Sequence, residues 1–271
     1  NYAVFLGLNA TLFAAWFQSP LPDARYLVFA QNLAWPHPAA MAEAWSLAVE
    51  EWFYVLMPLL LLISLKALPQ PRQAVPTLLA LWVVMGAVAR FVVAYVAAPE
   101  WDAGLRKIAL LRLDAIAWGG LAACWLHYRP ARAAQTARLS FGVGVLGLLV
   151  STLWLSGGVL SHFYPVMKFT GLFTLTGLSV ALCLPAAVAW RPGPRLYIPW
   201  VSGLSRISYS LYLVHFSFAL PLMQLPIVVA HTHLLWRTLG YVVVSVIAAY
   251  AAYRCIERPT LALRERLVTR R

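Results

Sequence analysis

The stretch 45-WSLAVEEWFYVLMPLLLL-62 decides the fold: eighteen positions that open on Trp45 and Ser46, carry Glu50 and Glu51 early, and are apolar from Val55 onward. At about 1.5 Å of rise per residue, a helix of roughly 20 residues crosses the ~30 Å hydrocarbon layer of a bilayer. An acid costs roughly 2.5–3.5 kcal/mol at the centre of such a helix. One kept near hydrocarbon is therefore paired, hydrated or functional.

The rest of the chain has the same character. Hydrophobic residues make up 62% of the 271, charged residues 11%, and the mean hydropathy is +0.74, which excludes an ordinary soluble domain. The fold class is an all-α, polytopic membrane bundle in a lipid bilayer. The net charge of +12 is the lysine and arginine excess expected of cytoplasmic loops, so no nucleic-acid partner is implied. Cys124, Cys183 and Cys255 lie in apolar segments and imply neither a disulfide framework nor a metal site. With no repeat or low-complexity linker, residues 1–271 read as one membrane-embedded domain.

Eight apolar stretches are long enough to span: Tyr2 to Phe17, Trp45 to Leu65, Pro76 to Ala97, Lys107 to His127, Leu139 to Ser156, Val166 to Ala189, Gly203 to Leu220 and Leu235 to Cys255. The gaps after the second, fourth and sixth, together with the basic tail 256–271 and Arg254, hold 14 basic residues, whereas the alternate gaps hold 5. That bias makes the C-terminus cytoplasmic and residues 18–44, with four prolines, an extracytoplasmic loop. His37 in WPHP reads as a rigid-turn residue.

Direction gives each polar residue a depth. Glu50 falls about 7 Å below the outer end of its helix, and Arg112 with Asp114 about 7–10 Å below theirs. Arg90 and His215, on helices running outward, share that outer half. Charged residues avoid lipid, so these are expected to meet in one polar cavity or to form structural ion pairs. Arg112 and Asp114 are two apart, share no helix face and need partners elsewhere, Glu50 with Arg90 or Arg112 being one expected pair. Ser46, Glu50 and Tyr54 follow i, i+4, i+8, and Ser208, Tyr212 and His215 follow i, i+4, i+7, each set on one face. Glu257, between Arg254 and Arg258, reads as part of a surface ion pair.

The S-L-x-x-E-x-x-x-Y pattern of Ser46, Leu47, Glu50 and Tyr54 resembles the signature of the acyltransferase-3 family of bacterial membrane O-acyltransferases. QNLAW at Gln31 to Trp35, RLDAIAWGGLAA at Arg112 to Ala123, ISYSLYLVH at Ile207 to His215 and IERP at Ile256 to Pro259 agree in order. The resemblance implies a multi-pass protein of the bacterial cytoplasmic membrane. It would move an acyl group, commonly acetyl from cytoplasmic acetyl-CoA or another acyl-CoA, onto a carbohydrate hydroxyl of a surface or secreted glycan. Delivery would be direct or through a separate extracytoplasmic acyl-transfer partner.

On that plan, Glu50, Tyr54, Ser46, His215, Arg112 and Asp114 are the expected catalytic group. Arg90, Tyr209, Tyr212 and Asn32 are the expected substrate contacts. No metal is required. The family has ten helices, and its first carries the basic residue and the histidine taken as catalytic base. This sequence corresponds to the third helix onward, so it reads as truncated and is expected to be inactive alone. The competing readings are a transporter or flippase using the same charges as a pathway, and a non-catalytic subunit that recognises glycans.

Overall fold

The computed structural model describes residues 2–68, 70–156, 165–190 and 199–268. The fold is 86% helical, with no strand among the described residues. Among the described residues, six helices are long and apolar enough to cross a membrane: Ala42–Ala67, Pro71–Ala97, Ala109–Tyr128, Pro130–Leu155, Thr170–Ala189 and Leu234–Leu267. The protein is thus an all-α, multi-pass membrane bundle. The first of the eight expected spans is a shorter apolar helix, α1 (Tyr2–Phe17).

The packing resolves into two compact units, one formed by Asn1–Gln31, Pro38–Ala44 and Pro192–Arg271, the other by Asn32–His37 and Trp45–Arg191. The second unit contains α2 (Trp45–Ala67), α3 (Pro71–Ala97), α4 (Asp114–Tyr128), α5 (Pro130–Leu155) and α6 (Pro165–Ala189). Prolines open α3, α5 and α6, where the missing N–H is no loss and the fixed φ suits a first turn. Its core joins Phe53 of α2, Leu78, Leu79, Trp82 and Val83 of α3 and Ala117 of α4, with Phe53 set edge-on to Trp82 at 4.9 Å between centroids. Gly144 and Gly147 let α5 lie directly on Ser179 and Cys183 of α6, because a Cβ at either would fall within 2.6 Å of them. Small residues draw membrane helices together in this way, as lipid supplies no hydrophobic drive between them.

The first unit holds α1, the turn Ala24–Val28, α7, α8 (Pro226–His231) and α9. α7 runs as an α-helix over Pro199–Val214, loosens to a π-helical turn over His215–Ala219 and closes over Leu220–Met223. α9 is helical from Leu234 to Ala252, has its own π-helical turn at Tyr253–Glu257 and continues to Val268. The region read as an open loop is tied down: the Tyr26 hydroxyl donates to the Ala40 carbonyl at 2.5 Å, and Tyr26 packs with Leu6, Met41 and Ala44.

Candidate functional site

In the second unit, Gly86 and Arg90 lie one turn apart on the same face of α3. A Cβ on Gly86 would stand 2.9 Å from both Cβ and Cγ of Asp114, so the bare glycine admits the acid. Arg90 Nη1 then donates to Asp114 Oδ1 at 2.7 Å and to the Leu111 carbonyl at 2.6 Å. Nη2 donates to Asp114 Oδ2 at 2.8 Å and to Thr174 Oγ1 at 3.3 Å. The side chains are 0% and 2% exposed.

This corrects the expected pairing: the partner of Arg90 is Asp114, not Glu50. Arg90 is fully buried with both terminal nitrogens bonded, and Asp114 accepts on both oxygens, so the pair clamps α3 to α4.

The clamp leaves Arg112 without an acid. Its guanidinium carbon sits 4.0 Å from the centroid of Phe173, and Phe173 stacks on Trp101 at 5.8 Å and 3°. Arg106 lies over Trp45 at 4.9 Å and over Trp101 at 5.8 Å. These groups line a cleft of 660 Å³ together with Trp118, Asp114 and Thr176. That volume falls within the roughly 300–1,000 Å³ usual for small-molecule sites. Trp118 fits only because position 177 is glycine, where a Cβ would meet the indole Cδ1 at 2.3 Å.

At the edge of the cleft, Asp102 bonds Arg106 and sits 2.6 Å from Lys107 Nζ. Partial burial pushes the Asp102 carboxyl up. The bonds and charges of Arg106 and Lys107 outweigh that and hold it below the ordinary carboxylate value.

Asn32 is also corrected. It is fully buried, and its Nδ2 donates to the carbonyls of Trp45 at 3.0 Å and Lys107 at 2.5 Å, while its own carbonyl accepts from Ala109 N at 2.8 Å. It fastens the chain before α4 to the start of α2 rather than facing the cleft. Glu50 and Tyr54 are one turn apart as expected, with the Tyr54 hydroxyl donating to Glu50 Oε1 at 3.0 Å. That face is exposed on the unit, with Tyr54 56% accessible, and Glu50 does not line the cleft of Arg112. Ser46 is half-buried.

In the first unit, Ser208, Tyr212 and His215 line one groove of 500 Å³ with Tyr241 and Ser245 of α9. His215 Nδ1 lies 2.7 Å from the Tyr212 carbonyl and 3.1 Å from that of Leu211. Carbonyls only accept, so Nδ1 carries a proton and donates to them. Tyr209 is 36% exposed and lies outside this groove.

The acid near His215 is Glu43, which the sequence reading did not single out. Its Oε1 accepts from Ser217 at 2.5 Å, and its carbonyl accepts from the Tyr212 hydroxyl at 2.5 Å. An acid within the apolar run MAEAWSLAV was the signal for it. Glu257 is a further correction: it is 9% exposed and accepts from Ser210 Oγ at 2.5 Å instead of forming a surface pair.

Trp101, Arg106, Trp118 and Phe173 were likewise not anticipated, because aromatic residues in membrane segments read first as interface anchors. Comparison with protein-family models, with curated proteins and with solved structures finds no match to this chain.

Proposed function

We propose that this chain is the membrane core of an O-acyltransferase of a bacterial cytoplasmic membrane, C-terminus inward. It would transfer an acyl group, acetyl in the simplest case, from cytoplasmic acyl-CoA to a carbohydrate hydroxyl of a surface or secreted glycan. One observation carries the reading: stretches that resemble the family motifs, though far apart in sequence, hold one another in place. Asn32 of QNLAW bonds the carbonyl of Trp45 in the WSL motif and that of Lys107, just ahead of Arg112 and Asp114. Ser210 of ISYSLYLVH bonds Glu257 of IERP.

In the reaction, the hydroxyl oxygen attacks the thioester carbonyl carbon. A C–O bond forms, the C–S bond breaks, and the proton passes through a base to the departing thiolate. The resemblance assigns that base to a histidine of the family's first helix. Arg112, whose guanidinium is committed to no carboxylate, is the group suited to hold the acceptor beside the thioester.

The test is acyl transfer by the full-length protein from labelled acetyl-CoA to glycan. Arg112→Gln is expected to lower the rate on the order of 10²-fold, as misplacement of a substrate does. Transport of glycan in proteoliposomes without any acyl donor, and with no acylated product, would overturn the reading in favour of a flippase.

A further inference from the structure

The cleft of the second unit has a surplus of hydrogen-bond donors. Arg112 Nε, Trp101 Nε1 and Trp118 Nε1 are all buried without a partner among the described residues. The nearby acids do not serve them; each is bonded elsewhere. Asp114 is held by both nitrogens of Arg90, Asp102 is held by Arg106 and Lys107, and Glu100 accepts from the backbone N–H groups of Asp102 and Ala103. A buried donor without an acceptor is destabilising, and more so when charged. Indole and guanidinium nitrogens only donate, so rearrangement among these three groups cannot relieve the deficit.

The walls supply the other half of the chemistry. Phe173 backs the Arg112 guanidinium on one face, leaving its N–H edge for a planar or tetrahedral oxyanion. Trp45, Trp101 and Trp118 line the cleft, and the Trp118 ring, which neither Phe173 nor Arg106 covers, offers a flat apolar surface suited to the C–H face of a sugar ring.

We propose that this cleft binds an acidic sugar, its oxyanion on the N–H edge of Arg112 and its ring among the three tryptophans. The assignment rests on the acyltransferase reading only in naming the ligand as the acceptor glycan; the binding itself stands on the donor surplus. An acceptor bearing a carboxylate is therefore preferred over its neutral counterpart.

The experiment is calorimetric titration of the full chain in zwitterionic nanodiscs with D-glucuronate, D-glucose and inorganic phosphate, repeated with anionic phosphatidylglycerol in the disc. Glucuronate is expected to bind at least about tenfold more tightly than glucose, and its affinity to fall with added salt. Trp118→Phe keeps an aromatic ring and removes one donor, and should weaken glucuronate about fivefold. Arg112→Lys keeps the charge and loses the planar fork, and should weaken it about tenfold.

Equal binding of glucose and glucuronate, or unchanged affinity in both variants, overturns the proposal. Phosphate binding as tight as glucuronate, or loss of glucuronate binding in phosphatidylglycerol discs, assigns the cleft to a phosphate headgroup and overturns it too. Glucuronate binding by a full-length protein that transfers no acyl group would sink the enzymatic reading and leave this one intact.

Discussion

Ser210 and Glu257 stand 47 residues apart and share a 2.5 Å hydrogen bond that joins α7 to the π-helical turn of α9. Both are buried, so the bond works where water cannot replace it. Ser210→Ala should cost about 1–3 kcal/mol by leaving a buried carboxyl short of a donor. Arg254→Ala should change stability by less than about 0.5 kcal/mol, since Glu257 does not depend on it. Thermal unfolding in detergent separates the two outcomes, and a larger loss from Arg254→Ala would restore a surface ion pair.

The Arg90–Asp114 clamp predicts an asymmetry. Asp114→Asn strands a buried guanidinium and should destabilise by roughly 3–5 kcal/mol, whereas Arg90→Met with Asp114→Leu removes both charges and should cost less than either single change. A loss in the double variant equal to the sum of the two single losses would show that the pair is not coupled.

Gly86→Ala tests how the clamp is admitted. The added Cβ has to displace Asp114 from 2.9 Å, so a loss of about 1–3 kcal/mol is expected, the usual scale of overpacking. Gly119→Ala, where a Cβ meets nothing within 4 Å, is the control and should be near neutral.

Asp102 predicts an acid limb. Its folded carboxyl titrates below the unfolded value of about 3.9, so the folded state binds fewer protons there. Its contribution is present above the unfolded value and is lost as pH falls through the lower folded one. Unfolding midpoints of the wild type and Asp102→Asn should therefore differ near neutrality and converge in acid. A difference that widened on acidification would reverse the sign of the shift.

The span boundaries were legible in the sequence because length and hydropathy are local properties, and α2, α3 and α6 fall within a few residues of their expected limits. Relative level was legible too: Arg90 and Asp114, expected at a similar level, bond to each other. Azimuth was not. A helix apolar on all sides has no polar face to mark which side packs inward. The stripe of Ser46, Glu50 and Tyr54 was therefore recognisable as a stripe, yet only packing shows that α2 buries Leu47, Ala48, Val49 and Phe53 and leaves Glu50 outward on its unit. Arg112 was recognised as a charge needing company, but its company is a phenyl ring from α6, and no charge-pairing rule anticipates that.

The clamp also bears on how the protein is made. Chains enter the membrane from the N-terminus, so α3 is synthesised before α4 and Arg90 reaches the bilayer before Asp114 exists. A lone arginine there carries a penalty of roughly 2.5–3.5 kcal/mol until the acid arrives. Twenty-four residues separate the two, little more than one crossing. Inserting α3 and α4 together as a hairpin would bring Arg90 into the bilayer with its counter-ion already beside it.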